Sequence, residues 1–389
     1  VKKDIEKNYY DTKFHGIDIE GNYKKTSELI DSAASSQEMT DLIARFCLLF
    51  DDSHLYFTPP RKTFRFSYGL NLQMIDDKAF VTGIENDSDA YKKGVRVGDQ
   101  IYMIEGFIPN HQEFSVLMRH FYVLQPQPSM TILLIKPNGN KYKLNVEAKI
   151  TEAGKFMPSR RESEIAGQNY ESEIDPQLIS DKIPGVSILK MKSFNLSEIK
   201  INKMMDKVEK SESLILDLRG NRGGYSNSLE QLIANFFDGE INVGTRVRRD
   251  GAKPFSVKQK LKKTYQGKLI VLIDSYSASA AEIFAYVVQL EKRGFVLGDQ
   301  SEGSVMESIY FPHSFGFTNL FYGISVTVAD IIMKDGQRLE KIGVTPDEKI
   351  FPSALDLANN RDPVLARAAQ ILNYKLTAEE TGQFFKKDK

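Results

Sequence analysis

The chain has 389 residues, and 52 Lys and Arg balance 52 Asp and Glu, so its formal net charge is zero. A general binder of nucleic acid or of an acidic surface draws its affinity from a basic excess, and this chain has none. Hydrophobic residues make up 41% and charged residues 27%, an ordinary balance for a soluble globular protein. At about 100–200 residues per domain the length gives two or three domains, each able to bury its own core.

The first sixty residues read as helical, with candidate helices at 24–34 and 36–50. In the second, Met39, Leu42, Ile43, Phe46 and Leu49 recur at spacings of three and four, which places them on one helix face. Ser35 and Ser36 with Glu38 offer a cap. Cys47, the single cysteine, stands in the mostly apolar run 43–50 and reads as a packed core thiol. One Cys excludes an internal disulfide framework and a multi-Cys zinc site, and no metal is expected. The helical pattern stops at Asp51-Asp52-Ser53-His54, and Pro59-Pro60 ends any helix.

From residue 64 to about 148 the period becomes that of strands, in runs at 64–72, 79–84, 100–104, 130–135 and 142–146. A Gly-containing turn region at 92–99 and one helical run at 112–121 lie between them. This pattern predicts a small, partly open barrel or sandwich. From about residue 151 strands alternate with helices: apolar runs at 186–191, 214–218 and 269–273, helical segments at 196–210, 226–237 and 280–290. That alternation predicts an α/β domain whose active site lies at the carboxyl ends of its parallel strands. The expected division is 1–62, 63–150 and 151–389. No apolar stretch reaches the roughly 18–20 residues that span a bilayer. The chain begins with Val, which is compatible with a removed export signal.

Two strand ends carry candidate chemistry. The run 214–218 leads into Arg219-Gly220-Asn221-Arg222-Gly223-Gly224. Glycines there permit positive φ and bring N–H groups close to a ligand, such as a phosphate or an oxyanion. No Gly-Lys-Ser/Thr follows, so the turn is not a P-loop, and a plain strand-to-helix turn is the alternative. The run 269–273 leads into Asp274-Ser275-Tyr276-Ser277-Ala278-Ser279-Ala280-Ala281-Glu282. A Ser at a helix N-terminus lies at the positive end of the dipole, and an adjacent N–H can stabilise an oxyanion. Helix capping by Ser277 or Ser279 is the alternative. A Ser nucleophile needs a base, and only five His are available. Of these, His54 follows the N-terminal helices at a clear break. His15, His111, His120 and His313 lie in segments without comparable punctuation.

In this order, with a barrel module before them, these motifs resemble the C-terminal processing peptidases and the tricorn protease core. Asp217-Leu218-Arg219 with Gly223-Gly224 is similar to the family's sheet-and-Gly-turn motif, and 277–284 to its nucleophile motif. The Ser three residues before the Glu is the nucleophile there, which implies Ser279. Residues 94–106 resemble the family's PDZ domain, and the likeness covers about 5–372. It implies an α+β multidomain fold: an N-terminal helical segment, a PDZ-like small β-barrel, and a crotonase-like α/β catalytic domain. It also implies a serine endopeptidase or C-terminal processing peptidase without a cofactor. Its substrates would be unfolded or extended protein segments rather than nucleic acid, and an oligomer is compatible with it. The expected place is the periplasm or cell envelope. The oxyanion would face the N–H of Ala280 and of Gly223 or Gly224.

Many members pair the Ser with a Lys in a Gly-x-x-x-x-Gly-Lys segment. Here the segment reads 298–304 with Ser304 in the Lys position, and a hydroxyl cannot act as that base. The tricorn-like branch instead uses a Ser-His pair before the PDZ module and a late Glu. The resemblance places these at Ser53, His54 and Glu340, with Ser53 and Glu340 orienting His54. It places the PDZ carboxylate loop at Tyr68, Gly69, Leu70 and Asn71, with the helix 112–121 as the other groove wall. A gating or purely structural module is the alternative. Two rival readings of the whole chain are a catalytically silent binding protein, as in the retinoid-binding relatives of the fold, and a Ser enzyme recruiting Lys341 or Lys334.

Overall fold

The computed structural model describes residues 1–60, 62–152, 175–258, 263–314 and 321–385. A six-stranded sheet lies at its centre, in the order Glu348–Lys349, Phe295–Gly298, Lys268–Ile273, Ser213–Asp217, Val186–Lys190, Gln177–Ile183. All neighbours are parallel except the last pair. The near-continuous apolar runs follow from coverage on both faces. Side chains alternate across a strand, so Leu214 and Leu216 enter one core with Leu269, Val271 and Ile273. Ile215, Ile270 and Leu272 enter the other. The first core is closed by helices Glu198–Val208, Ser226–Ala234 and Ala280–Leu290, the second by Pro363–Ile371.

A second, antiparallel sheet of five strands was not foreseen from the pattern of residues. Its spine is Phe321–Met333, which pairs with Met306–Ser314, with Tyr56–Thr58 and with Glu240–Arg248, itself paired to Gly251–Lys258. The spine is largely buried, but the strands that flank it at 240–248, 251–258 and 306–314 are rich in polar and half-buried residues, and some partners lie hundreds of residues apart, so no local period announces the sheet. The N-terminal helices Lys2–Asn8, Ile19–Asp31 and Ser36–Leu48 pack on it: Ile5, Phe46, Cys47 and Phe50 share one core with Phe57, Ile324 and Val326. The expected helix at 24–34 starts earlier because Asp18 caps it, accepting from Gly21 N at 2.9 Å. Ser35 caps the next helix, accepting from Glu38 N at 3.1 Å. Burial pushes the Cys47 thiol up to about 12, so it is inert.

The small β module has five antiparallel strands in chain order: Leu70–Ile75, Lys78–Ile84, Gln100–Ile104, Ser129–Ile135 and Lys141–Glu147. Helix Phe114–Arg119 adds Phe114, Leu117 and Met118 to their core. The expected strand 64–72 is two strands. Phe64–Ser67 pairs with Lys149–Glu152 in a separate ribbon, and the chain turns at Gly69, φ +70°. A Cβ there would stand 2.2 Å from that of Ser88. Among the described residues Leu70–Ile75 is the end strand of its sheet, with a strand neighbour along one edge.

At the carboxyl end of Ser213–Asp217, Asp217 is fully buried. Burial alone would raise its carboxyl, but the Arg219 and Lys190 charges hold it well below the usual carboxylate range. Arg219 donates to Asp217 from Nε and Nη2, both at 2.9 Å, and to Asp362, the N-cap of Pro363–Ile371, at 2.8 and 2.7 Å. Arg219→Met strands a buried carboxylate and should cost about 3–5 kcal/mol at pH 7, read by urea unfolding. The lowered Asp217 pKa gives stability that is present above the ordinary carboxylate range and lost below it. The cost of the variant should therefore shrink as pH falls below about 4. A cost under about 1 kcal/mol would show that this ion pair does not hold the strand end.

Candidate active site

The turn after Lys268–Ile273 is fixed by its own serines. Ser277 Oγ donates to Leu218 O at 2.9 Å and accepts from Asp274 N at 3.0 Å, and Ser275 Oγ donates to Met74 O. Of the three hydroxyls, Ser279's is the one not committed to a carbonyl among the described hydrogen bonds. Ser279 sits at φ +56°, ψ −118°, immediately before helix Ala280–Leu290. A side chain is strained in that backbone conformation, by about 1–3 kcal/mol, and such strain at a strand-to-helix turn projects the hydroxyl outward.

The glycine turn lies directly against it. A Cβ on Gly223 would stand 2.7 Å from Ser279 Cβ and 2.9 Å from Ala278 O, and Gly223 has φ +82°. Asn221 joins the two turns: its carbonyl accepts from Ala278 N at 2.9 Å, its Nδ2 donates to Met191 O at 2.7 Å, and its Oδ1 accepts from Gly223 N at 2.9 Å. That last bond corrects one expectation: the Gly223 N–H is already engaged and cannot face an oxyanion. The N–H groups of Gly224 and Ala280 have no acceptor among the described hydrogen bonds, and they are the donors this corner offers.

Glu282, unremarked in the sequence beyond its motif place, is completely buried one turn into the helix. Its Oε2 accepts from Ser279 N at 2.8 Å and Ser304 N at 2.9 Å. Its Oε1 accepts from Ser301 Oγ at 2.6 Å and Gly303 N at 2.7 Å. Burial pushes this carboxyl up to about 7 against the pull of those four bonds.

His54 arrives from the far end of the chain. Asp52 shapes its turn: Oδ1 accepts from His54 N at 2.8 Å, Leu55 N at 3.1 Å and Thr327 Oγ1 at 2.7 Å, and Oδ2 from Tyr9 OH at 2.9 Å. An Asp that bonds the backbone two residues on is a recognisable turn signal, and Asp52 could have been singled out by it. Ser53 Oγ lies 2.9 Å from His54 Nδ1 and donates to Glu340 Oε2 at 2.9 Å. Glu340 also accepts from Ser53 N at 3.0 Å and Val305 N at 2.8 Å, and burial raises its carboxyl. A hydroxyl has one proton. With Ser53's given to Glu340, its oxygen accepts the proton of His54 Nδ1, which assigns the lone pair to Nε2. Ser304 Oγ lies 3.5 Å from Nδ1, at the outer limit of a hydrogen bond. Ser53, His54 and Glu340 are thus brought together, and Glu282 and Ser304 link them to Ser279.

The rival cations are engaged elsewhere. Lys341 Nζ pairs with Asp51 at 2.8 Å, and Lys334 Nζ with Glu291. His15, His111 and His313 bond Tyr10, Ser301 O and Asp4, and His120 faces Asp41 at 4.0 Å. In the expected carboxylate loop one N–H, that of Gly69, is engaged by a neighbouring side chain. Tyr68 is buried, with its hydroxyl on Gln127 O at 2.9 Å. Gly69 N donates to Ser67 Oγ at 3.2 Å, Leu70 is buried, and Asn71 is an exposed strand residue. Among the described residues no group of His, Cys, Asp and Glu could hold a metal ion. None of the helices there is long and apolar enough to cross a membrane.

Residues 185–350 match the profile of Peptidase family S41, and residues 1–47 that of the Tricorn protease C1 domain. The chain is 23% identical over 366 residues to carboxyl-terminal-processing peptidase 1, chloroplastic, of Arabidopsis thaliana, covering 89% of this chain and 69% of that one. It is 27% identical over 233 residues to the carboxy-terminal processing protease CtpA of Bacillus subtilis, spanning 56% of this chain and about half (48%) of that relative. In fold it resembles mature CPAF complexed with lactacystin, with a TM-score of 0.68 at 14% identity over 98% of this chain and 96% of that one. The class is therefore that of serine hydrolases with a mixed α/β fold. More narrowly, the chain carries an S41 peptidase domain over residues 185–350 and a tricorn C1 domain over residues 1–47, and it is similar to the carboxyl-terminal processing and tricorn-like peptidases.

Two stability outcomes follow from the turn. Ser279→Gly should raise stability by about 1 kcal/mol, because relief of the positive-φ strain exceeds glycine's unfolded-state entropy. Thermal unfolding lower than that of Ser279→Ala would contradict the strain. Glu282's raised pKa gives stability that is full below its ordinary value near 4.5 and lost as pH rises through about 7. Relative to the non-titrating Glu282→Gln, the wild type should therefore lose about 3 kcal/mol across that window and then level off. A flat difference in urea unfolding would rule this titration out.

Proposed function

We propose that the chain is a serine peptidase that cleaves extended or unfolded protein segments near their C-termini, with Ser279 as nucleophile and His54 as general base. The observation that carries this is the chain His54 Nδ1, Ser53 Oγ, Glu340 Oε2, with both separations 2.9 Å. In the acylation step His54 Nε2 takes the Ser279 proton as Oγ bonds to the scissile carbonyl carbon. The carbonyl π electrons move onto oxygen, facing the N–H groups of Ala280 and Gly224. Collapse expels the amine, which receives the proton from His54. Water, deprotonated by His54, then releases the acid and restores Ser279. Ser53 relays the Glu340 charge to the imidazolium, holding its ring and its tautomer. Ser304, in the place of the family's Lys, supplies no amine, and Lys334 and Lys341 are held by carboxylates, so this reading has no Lys base.

The small β module is read as PDZ-like from its strand order and from the helix Phe114–Arg119 beside the end strand's core. An exported location, in the periplasm or cell envelope, belongs to the same reading through the resemblance, and fractionation of the source cells tests it. A silent binding protein is disfavoured by the ordered Ser53–His54–Glu340 chain, which such a protein has no need to keep.

The test is digestion of a peptide library alongside labelling by a fluorophosphonate probe. Ser279→Ala should abolish both while keeping the fold. His54→Ala should lower kcat/KM by about 10³-fold or more, and Lys334→Ala or Lys341→Ala should cost little. The rate should rise with pH through about 6–7, where a His loses its proton. Undiminished cleavage by Ser279→Ala, or a lethal Lys substitution beside an active His54→Ala, would overturn the assignment.

A further inference from the structure

The edge of Leu70–Ile75 that has no strand neighbour among the described residues is where a peptide would add to a PDZ-like module as an extra strand. Its outward groups belong to alternate residues, 70, 72 and 74. All three carbonyls are occupied from within the chain. Leu70 O accepts from Tyr122 OH at 3.4 Å. Leu72 O accepts from Tyr276 OH, and Met74 O from Ser275 Oγ. Between them Gln73 Nε2 donates to Asp274 Oδ2 at 2.7 Å. The Tyr276 ring packs against the core that Leu70, Leu72, Phe114, Leu117 and Met118 build, and the Arg222 guanidinium lies 4.3 Å from its centroid. Burial raises the Tyr276 phenol, so it stays a donor.

The module also grips the other side of the site. His111 Nε2 lies 2.8 Å from Ser301 O, and Ser115 Oγ donates to Glu302. Glu302 in turn pairs with Arg222 at 3.1 Å. Ser301 and its neighbours are the segment that Glu282 ties to Ser279 N. Both chain segments that frame Ser279 are therefore held by this one module.

We infer that the turn bearing the nucleophile is itself the occupant of the module's peptide edge, and that Tyr276 is a positioning residue coupling that edge to Ser279. Resting on Ser279 as nucleophile, this makes the module a clamp on the catalytic turn rather than a receptor for a substrate carboxylate. Tyr276 stands three residues before Ser279, with Ser277 and Ala278 locked between them, so a slackened Tyr276 moves the hydroxyl and the Ala280 N–H together.

Two readouts test it. With the intact chain, Tyr276→Ala should label with a fluorophosphonate ~10²-fold more slowly, the scale of an ångström's misplacement. It should lower kcat for a peptide substrate at nearly unchanged KM, and leave the pH at half-maximal rate where it was. Tyr276→Phe, which keeps the ring, should recover most of the rate, and Gln73→Ala should fall between. Independently of chemistry, in the Ser279→Ala background Tyr276→Ala should speed amide hydrogen exchange at 277–284 about tenfold, the scale of one lost anchoring bond. Wild-type labelling and exchange rates in Tyr276→Ala would overturn the inference. So would a raised KM with kcat intact, which is the mark of a substrate-binding edge. Faster exchange with a wild-type chain labelled at some serine other than Ser279 would leave the clamp standing and overturn the nucleophile assignment instead.

Discussion

Everything in the site hangs from one buried carboxylate. Glu282 accepts four hydrogen bonds, two from backbone or hydroxyl groups of 301–303, one from Ser304 N and one from Ser279 N. A carboxylate in an apolar core is costly unless all its lone pairs are engaged. That cost is what specifies the geometry: the helix Ala280–Leu290 cannot bury this residue without drawing the 301–304 segment onto the nucleophile turn. The positive φ at Ser279 is held by the same bonds, since a strained backbone persists only where its surroundings over-determine it.

The site is assembled from segments that share no neighbourhood in sequence. The residues around 52–54, 221–224, 274–282, 301–305 and 340 meet because two sheets with different roles sit side by side. The parallel sheet delivers the glycine turn and the turn of Ser279, the proposed nucleophile, from adjacent strands, Ser213–Asp217 and Lys268–Ile273. The antiparallel sheet delivers His54, the proposed base. Thr327, on its long spine strand, bonds Asp52, and Asp52 bonds the backbone of His54. Glu340 then receives Ser53 and closes the chain of protons. A relay of this kind depends on hydroxyl bookkeeping more than on charge: Ser53 has a single proton, and where it goes decides which imidazole nitrogen can act as base.

Much of this was legible in the residues, and the rest was not for physical reasons. The apolar runs around 214–218 and 269–273 announced parallel strands because burial on both faces leaves a continuous signal. The serine cluster and the glycine turn were visible because each sits where such a strand ends. The antiparallel sheet was invisible: its spine is a single long strand whose partners come from residues 56–58, 240–248 and 306–314, and edge strands tolerate polar residues on both faces. Gly223 was misassigned as an oxyanion donor because motif matching locates a glycine without saying where its N–H points; Asn221 two residues earlier takes that proton. In Tyr68–Asn71, too, motif matching does not show which groups already have partners. Ser67 Oγ on Gly69 N and Tyr276 on Leu72 O are a local side chain and one about 200 residues away, and neither leaves a periodic trace.

The central claim is that Ser279, oriented by the Glu282 bonds, attacks a carbonyl whose oxygen turns toward Ala280 and Gly224 while His54 Nε2 holds the proton. The most direct measurement is a high-resolution crystal structure of the protein after reaction with a fluorophosphonate, whose tetrahedral phosphorus mimics the intermediate. The account predicts phosphorus bonded to Ser279 Oγ, one phosphonyl oxygen about 2.7–3.1 Å from both Ala280 N and Gly224 N, and His54 Nε2 within hydrogen-bond reach of the adduct, with Gly223 N still on Asn221. Phosphorus on a different residue, or an oxygen held by Gly223 in place of Gly224 and Ala280, would contradict it.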